Sequence, residues 1–470
     1  MTDQETVQDK HEFRYSITNN ISYMYQVYCS YMLVYKNSEL CKDFLTPETL
    51  QSSLTALVRK HYQPISGWFN INSDEIDVVF RNDKFNDPPF ETQVLPMNYE
   101  EIMERVHASD IELLVPKGPS GLISKDNQVI PMVLVKATYL ESNEAVVIGI
   151  TYHHSLMDGS TFWLFMYNWA NLCKQMISGE NRNIDEYTLP CPPSFGFPSI
   201  NHLHEPNTTF NHNEYTLVDA AKCLREFIPG NDIIKESILH ISIEQQREIR
   251  VLAKQHGVSF TSMLCAMFWR ETSILRLAAK PSIGTLTSLF TCAVNPRASL
   301  GISNDVCASP VVNLAATKTI DELVTTLDLQ STAQLVHQTI TKGSAVYISS
   351  SMDFLLKQRR TELENERSGA MDGKKAMLSY VCPVEAKCTV SSSRNFPIYQ
   401  TDFGFGSPVY VRPPYLPFEG CLRIWPTPQS PGDGLANKEA PLEVYLSQPD
   451  YINLSLSPIL RPFIVDPSSK

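Results

Sequence analysis

The 470-residue sequence has no run of about 18 apolar residues, so no segment of it is predicted to cross a membrane as a helix. Its first residues, MTDQETVQDKHEF, are polar and charged, and they lack the apolar stretch of a secretory signal. Positive charge is also scarce, because 51 acidic residues outnumber 39 basic ones and give a formal net charge of −12. That balance disfavours nucleic acid as a partner. Together these absences predict a cytoplasmic protein without stable membrane insertion.

Cysteine motifs are missing too. The 11 cysteines are scattered, odd in number and include no CxxC pair. Such spacing disfavours a disulfide framework and indicates reduced thiols in a reducing compartment.

Several common catalytic motifs are absent as well. No GxSxG elbow occurs, which removes the usual mark of a serine hydrolase. The GFG at 404–406 has no third glycine and no predicted helix after it, so dinucleotide binding is not supported. The DFG at 402–404 would bind magnesium in a protein kinase, but no HRD loop and no Gly-rich strand–turn–strand precede it.

The length and composition that are present indicate a globular enzyme of two domains. A chain of 470 residues exceeds one ordinary core, and its 43% apolar and 19% charged residues are typical of globular proteins. We predict an N-terminal domain over 1–188, a crossover linker over 189–231 and a C-terminal domain over 232–470. The linker is rich in Pro, Asn and His and shows neither a helical nor a strand period.

Local patterns predict both strands and helices, and therefore an α/β fold. The segments PMVLVKATYL and EAVVIGITY predict two buried strands that ESNE joins as a hairpin. Thr46 followed by Pro47 predicts a helix start. Ser242 and Gln245 form a capping box, and Gly257 marks the end of the helix that they begin.

The segment HHSLMDG at 153–159 carries the chemistry of interest, because it follows a predicted core strand directly. A histidine near its ordinary pKa can serve as a general base at neutral pH, and His154 is the candidate. A simpler interpretation is a satisfied buried histidine followed by an Asp-Gly turn. Zinc binding is disfavoured, because neighbouring residues of a strand point to opposite faces and no partner has a zinc-ligand spacing.

This motif and several others resemble the BAHD family of CoA-dependent acyltransferases. HHSLMDG fits the family's HxxxD signature at His154 and Asp158. The family's second signature, DFGWG, has a match near the C-terminus in Asp402, Phe403, Gly404, Phe405 and Gly406. Phe405 stands in place of the usual Trp. The segments SFTSMLCAMFWR and AVNPRASL resemble further family segments between the two. Phe405 and a serine cluster before NFP resemble fungal members, such as trichothecene 3-O-acetyltransferases, and favour acetyl as the acyl group.

The resemblance implies a role for particular residues. His154 matches the catalytic base. Asp158, Gly159 and Arg297 match residues that support the site, with the aspartate paired to the arginine and turned away from the substrates. Ser391 and Ser393 match positions of the oxyanion or acceptor pocket. Ser259 and Ser262 match positions on the CoA side. The cluster at 391–393 is otherwise an ordinary loop, and that alternative stays open.

The resemblance also implies the fold and the substrates. The fold is the two-domain, chloramphenicol-acetyltransferase-like α/β fold, in which each domain is a mixed β-sheet flanked by helices and a channel lies between them. A segment at about 380–400 joins the sheet of the first domain in that scheme. Acyl-CoA is then a co-substrate, a small-molecule alcohol or amine is the acceptor, no cofactor or metal is bound, and the protein is a monomer.

Two other functions remain open at this point. Nonribosomal condensation domains also carry HHxxxDG, but they lack DFGWG and work beside carrier domains that this chain does not contain. Some BAHD relatives act only as binding partners after losing the motif, whereas His154 and Asp158 are both present here.

Overall fold

The computed structural model describes residues 12–16, 28–71, 76–119, 130–178, 187–196, 210–212, 215–219, 233–368, 376–380, 386–413, 416, 418–428 and 440–464. The chain divides into two compact units, each assembled from three segments of the sequence. Unit 1 consists of Met1–Pro198, Ser303–Pro310 and Pro397–Pro414. Unit 2 consists of Ser199–Ile302, Val311–Phe396 and Tyr415–Lys470.

Helices and strands are interspersed along the described residues. The strands are β1 (Glu12–Ser16), β2 (Tyr28–Lys36), β3 (Trp68–Ile71), β4 (Ile76–Arg81), β5 (Phe90–Leu95), β6 (Val133–Leu140), β7 (Ala145–His153), β8 (Ser194–Phe195), β9 (Tyr215–Asp219), β10 (Ile234–Ile241), β11 (Thr287–Val294), β12 (Val306–Cys307), β13 (Val312–Thr319), β14 (Ala376–Tyr380), β15 (Lys387–Ser392), β16 (Tyr410–Arg412), β17 (Cys421–Pro426) and β18 (Leu442–Pro449). The α-helices are α1 (Pro47–His61), α2 (Tyr99–His107), α3 (Ile111–Leu114), α4 (Gly159–Ile177), α5 (Ile243–Gln255), α6 (Phe260–Ala279), α7 (Leu329–Thr341) and α8 (Ala345–Ser368).

Unit 1 is built on a five-stranded mixed sheet in the order β16-β2-β7-β6-β5. Strand β7 lies at its centre, is buried along its whole length, and pairs antiparallel with both β2 and β6. The predicted hairpin of β6 and β7 is therefore confirmed. Side chains of α2 and α3, including Ile102, Val106 and Leu114, join Val147 of the sheet in one apolar cluster. This packing fixes the strand that leads to HHSLMDG.

Unit 2 is built on a six-stranded mixed sheet in the order β10-β18-β17-β15-β11-β13. Apolar residues that alternate along these strands, such as Val390, Leu422 and Val444, pack against α5, α6 and α7 in one core. Each unit thus covers a mixed sheet with helices, as predicted for an α/β protein.

The helix ends follow the predicted capping chemistry. Thr46 caps α1, and its side chain accepts a hydrogen bond from the backbone N–H of Thr49. Ser242 and Gln245 form the predicted capping box at the start of α5. Gly257 follows the end of that helix with φ +66°, in the left-handed region where glycine is favoured.

The segment at 380–400 lies differently from the expectation. We expected it to join the sheet of the first domain, but β15 pairs with β11 and β17 in the sheet of unit 2. The physical reason is burial, because Cys388 and Val390 on β15 belong to the apolar core of that unit. It is the next segment, Pro397–Pro414, that reaches unit 1, where β16 pairs with β2.

The linker expected at 189–231 also contains regular structure where it is described. Strand β8 lies at its start, and β9 pairs antiparallel with β14. Residues 197–209, 213–214 and 220–231 lie outside the described residues. The boundaries at 188 and 231 stay predictions.

Candidate active site

The two adjacent histidines of HHSLMDG have different environments. His153 is the last residue of β7 and is fully buried. Its ring lies edge-on to Tyr28 at 4.9 Å between centroids and 4.8 Å from the ring of Phe69. Its Nδ1 is 2.7 Å from Ser155 Oγ. Such an enclosed ring is part of the core of unit 1.

His154 follows the strand and is half-buried. Its ring stacks on Tyr152, with 6.2 Å between centroids, and its Nδ1 lies 3.3 Å from Ser309 Oγ. Burial lowers the pKa of His154, while the Asp158 carboxylate and a hydrogen bond to the residue's own backbone act in the opposite direction. The imidazole is therefore neutral at neutral pH and can accept a proton.

Asp158 holds the start of the helix that follows. It is the N-cap of α4, and its Oδ1 accepts a hydrogen bond of 2.8 Å from the backbone N–H of Thr161. Gly159 is the first residue of the helix. The side chain of Asp158 is buried, and a carboxylate at this end of a helix is favoured by the aligned peptide dipoles.

A short segment from far along the chain is fastened to the same helix start. The carbonyl of Ala308 accepts hydrogen bonds from the backbone N–H of Asp158 at 3.2 Å and from Thr161 Oγ1 at 2.9 Å. This contact brings Ser309 next to His154. No motif in the sequence pointed to Ser309.

The DFGFG motif forms a turn that its own aspartate ties together. Asp402 Oδ1 accepts hydrogen bonds of 2.8 Å from the backbone N–H groups of Gly404 and Gly406, and Oδ2 lies 2.6 Å from Lys174 Nζ on α4. Both glycines have positive φ, at +110° and +99°. Partial burial raises the pKa of Asp402, but the hydrogen bonds from Lys174 and from the two amides outweigh it, so the pKa is lowered overall.

The aromatic residues of that motif pack in unit 1. Phe403 is fully buried between Tyr35 and Trp169, with ring centroids 5.6 Å and 4.9 Å away. Phe405 lies 5.1 Å from the ring of Phe44. This contact is between two phenyl rings and involves no indole N–H.

The other predicted site residues belong to unit 2. Arg297 follows β11 and is fully buried, and its Nη1 donates a hydrogen bond of 3.0 Å to Asn295 Oδ1. Ser391 is exposed on β15 opposite Arg423, whereas Ser393 is buried and its backbone N–H donates to the carbonyl of Ile424. The predicted pair of Asp158 with Arg297, and the roles of both serines, stay predictions.

The two serines predicted on the CoA side lie at the start of α6. Ser259 is the exposed N-cap, and its Oγ accepts a hydrogen bond of 3.0 Å from the backbone N–H of Ser262. Ser262 is buried, and its Oγ is 3.3 Å from His337 Nδ1. The two hydroxyls are therefore held at a helix N-terminus, by each other's residue and by His337.

The described residues contain neither a membrane-spanning helix nor a cluster of metal ligands. None of the helices described is long and apolar enough to span a bilayer. Within the described ranges, no three His, Cys, Asp or Glu side chains are grouped so that they could hold a metal ion.

Comparisons with known proteins match this chain to transferases. A family model described as the Transferase family matches residues 2–437. Putrescine hydroxycinnamoyltransferase 3 of Oryza sativa subsp. japonica is 25% identical over 304 residues, which are 63% of this chain and 64% of that protein. Shikimate O-hydroxycinnamoyltransferase of Nicotiana tabacum is 24% identical over 326 residues, 67% of this chain and 68% of that protein. The chain thus spans about two thirds of the length of these curated relatives, slightly less for the rice protein.

Solved structures show the same fold. F. graminearum TRI101 complexed with ethyl coenzyme A has a TM-score of 0.70 at 16% identity, covering 96% of this chain and 99% of its own. The first condensation domain of the calcium-dependent antibiotic synthetase has a TM-score of 0.57 at 12% identity, covering 97% and 95% of the two chains. At these identities the likeness concerns the fold alone, and the predicted two-domain α/β fold is confirmed.

Proposed function

The chain belongs to the Transferase family, the BAHD acyltransferases whose motifs its sequence carries, and from this membership we propose its reaction and its catalytic base. It is an O- or N-acyltransferase that moves an acyl group from acyl-CoA to an alcohol or amine. The names of two relatives describe acyl transfer to an oxygen of shikimate and to the amine putrescine. The acceptor of this chain is a small molecule of one of these two classes.

The observation that carries the proposal is the state of His154. Its ring is half-buried, neutral because burial lowers its pKa, and engaged at Nδ1 by Ser309. A neutral imidazole with its second nitrogen available is what a general base requires. His153, although adjacent, is enclosed by Tyr28 and Phe69 and is not proposed as the base.

The reaction then follows in two steps. His154 takes the proton of the acceptor O–H or N–H as the acceptor atom attacks the thioester carbonyl carbon. The tetrahedral intermediate breaks its carbon–sulfur bond, and the leaving CoA sulfur receives the proton from His154. The ring ends neutral, as it began, and no acyl group is attached to the protein.

Supporting roles are proposed for the remaining predicted residues. Ser391 is exposed and its hydroxyl can donate a hydrogen bond to the oxyanion, and Ser393 shapes the acceptor pocket. Ser259 and Ser262 lie at a helix N-terminus, where backbone N–H groups favour the phosphates of CoA. In support of CoA as the donor, the similar TRI101 of F. graminearum has been solved with coenzyme A and deoxynivalenol together.

Asp158 and Arg297 are proposed as structural supports of the site. Both side chains are buried, and a buried charge is costly unless it is paired. Asp158 already caps α4, which fixes the turn that aims His154. Acetyl as the acyl group, a cytoplasmic location and a monomeric state are kept as further parts of this proposal.

Turnover with candidate substrates tests the function. The purified protein is incubated with a panel of acyl-CoA esters and a mixture of small alcohols and amines, while free thiol and new product masses are followed. We expect thiol release that depends on the acceptor and equals the amount of acylated product. Release of thiol without an acylated product, or no release with any acyl-CoA, would contradict the proposal.

The condensation-domain alternative is supported by the shared fold at a TM-score of 0.57. It predicts acyl groups taken from a carrier-protein thioester and not from free CoA. The DFGFG turn and the family match favour CoA. Presenting the same acyl group on CoA and on a phosphopantetheinyl carrier protein decides between them, and we expect turnover with the CoA ester.

A further inference from the structure

A segment that no sequence motif marks is fixed beside the proposed base. Residues 303–310 belong to unit 1 although the chain on both sides of them belongs to unit 2. Strand β12 in this segment pairs in parallel with β8, and Ala308 is hydrogen-bonded to Asp158 and Thr161 at the start of α4. Cys307, Ala308 and Ser309 are all buried. The three residues before Ser309 are therefore fixed by pairing with β8 and by hydrogen bonds to the start of α4.

Ser309 Oγ lies 3.3 Å from Nδ1 of His154. A serine hydroxyl can either donate to Nδ1 or accept from Nδ1–H, depending on the tautomer of the imidazole. A general base must keep a lone pair on the nitrogen that faces the substrate. With Nδ1 in contact with protein groups, that nitrogen is Nε2.

We propose that Ser309 is a positioning residue for the reaction: its Oγ accepts a hydrogen bond from Nδ1–H of His154, which holds the ring in the tautomer whose Nε2 lone pair receives the acceptor's proton. This inference rests on the proposed function, in which His154 is the base. Ser309 exchanges no proton itself. The proton moves from the acceptor to Nε2 and from Nε2 to the CoA sulfur.

The contact strengthens as the reaction proceeds. When Nε2 takes the proton, the ring becomes an imidazolium and the Nδ1–H···Oγ bond becomes charge-assisted, which makes it shorter and stronger. An interaction that is stronger in the transition state than in the ground state raises the rate of the chemical step. Ser309 therefore acts on kcat, and on kcat/KM, more than on substrate binding.

The other groups near the ring are common to the wild type and to Ser309→Ala. The Asp158 carboxylate stabilises positive charge on the ring, and it is unchanged when Ser309 is replaced. Tyr152 stacks on the ring, and burial raises the pKa of its hydroxyl well above the ordinary value, so it stays neutral. The hydrogen bond of the ring to its own backbone is present in both proteins, so Ser309→Ala measures what the serine adds to it.

The neighbouring pair of His153 and Ser155 provides a matched control. Ser155 Oγ lies 2.7 Å from His153 Nδ1, and Ser155 is as buried as Ser309. Ser309→Ala and Ser155→Ala therefore each remove one buried hydroxyl from a serine–histidine pair. They differ in which histidine loses its partner.

The test compares kcat/KM of these two variants over a range of pH. We expect Ser309→Ala to lower kcat/KM by about 10- to 100-fold, the range for a hydrogen bond to a charged group, and Ser155→Ala to change it little. The acidic limb of the Ser309→Ala profile should also move to lower pH, because the imidazolium loses an acceptor. Ser309→Thr, which keeps a hydroxyl, should restore rate and profile.

Nitrogen-15 spectra of the His154 ring should show protonated Nδ1 in the neutral wild-type protein, with Nε2–H gaining population in Ser309→Ala.

Two results would overturn the inference. One is equal kcat/KM in Ser309→Ala and Ser155→Ala with no shift of the acidic limb. The other is a neutral wild-type ring that carries its proton on Nε2. Wild-type protein and His154→Ala are measured beside these variants, so an inactive wild type would count against the proposed function, whereas an active wild type with an indifferent Ser309→Ala would count against Ser309 alone.

Discussion

At the residue scale, the two histidines at 153 and 154 show how one step along a strand changes chemistry. His153 points into the core and packs against aromatic rings, whereas His154 is half-buried and next to Ser309. Strand geometry makes this difference predictable, because successive side chains alternate between the two faces. The partner of His154 was not predictable, because Ser309 is 155 residues away in the sequence.

The lowered pKa of His154 makes a prediction about pH. As the proposed base it is active in its neutral form, and burial lowers its pKa from the ordinary value of 6.5. We expect kcat/KM to be constant near neutral pH and to fall as the pH drops, with a midpoint below 6.5. Steady-state rates between acidic and neutral pH measure this. A midpoint above the ordinary value would contradict this account, because it would mean that another group controls the base.

At Asp158, the contribution of the helix cap to stability can be separated from that of the buried charge. Asparagine caps helices about as well as aspartate, so Asp158→Asn keeps the cap of α4 and removes the charge. If Asp158 is paired with Arg297 as predicted, we expect Asp158→Asn and Arg297→Met each to lower the free energy of unfolding by about 3–5 kcal/mol. The double variant should lose less than the sum. Urea denaturation measures all three.

Two results would contradict the pairing of Asp158 with Arg297. Asp158→Asn at wild-type stability, with Asp158→Ala losing about 0.5–2 kcal/mol, would reduce Asp158 to a helix cap. Strictly additive losses would show that the two residues do not interact.

At the scale of elements, the turn at 402–406 fastens the C-terminal segment of unit 1 to helix α4. The motif was predicted, but its partner Lys174 was not, because nothing in the helical pattern distinguishes that lysine. Helix starts were predicted well, since Thr46, Ser242 and Gln245 cap through side chains that lie within one turn of their targets. Contacts within a few residues can be inferred from a sequence, whereas contacts between distant segments depend on the tertiary fold.

The Asp402 turn gives a prediction about where its stability comes from. Lys174 is about half exposed, and an exposed ion pair contributes little, so Lys174→Met should cost no more than about 1 kcal/mol. Asp402→Ala should cost more, about 1–3 kcal/mol, because it leaves the amides of Gly404 and Gly406 without their acceptor. Denaturant unfolding of the two variants measures the difference. A larger loss in Lys174→Met than in Asp402→Ala would contradict this account.

The same turn has a pH dependence whose sign is fixed. Because the pKa of Asp402 is lowered in the folded protein, its carboxylate stabilises the fold at neutral pH, and that contribution is lost as the pH falls through the folded value. The difference in stability between wild type and Asp402→Ala should therefore shrink in acid. A difference that grows in acid would contradict the assignment.

At the scale of the whole molecule, the chain interleaves its two units. Residues 303–310 and 397–414 both belong to unit 1 while their neighbours in sequence belong to unit 2. Composition and periodicity predicted strands, helices and an α/β fold, whereas the position expected for the segment that holds β15 came from the family resemblance and was wrong. Strand patterns specify which face is apolar, and they do not specify which sheet a strand joins.

The kinetic order of the reaction is a prediction for the whole molecule. We propose no nucleophile on the protein, so both substrates must be bound together before the acyl group moves. Two-substrate kinetics should give intersecting lines in double-reciprocal plots. Mass spectrometry after mixing with acyl-CoA alone should find unmodified protein. Parallel lines together with a covalent acyl-protein would require an acyl-enzyme instead.

The measurement that tests the central claim most directly is the turnover of His154→Ala beside that of His153→Ala. Each is assayed as acceptor-dependent thiol release per folded molecule, with folding checked by circular dichroism. We expect His154→Ala to keep the fold and to lose about 10²–10⁴-fold in rate, the contribution of a general base. His153→Ala should be less stable, because it opens a cavity beside Tyr28 and Phe69, yet its folded fraction should retain most of the activity. Equal losses of activity in the two folded variants, or an active His154→Ala, would contradict the assignment of His154 as the base.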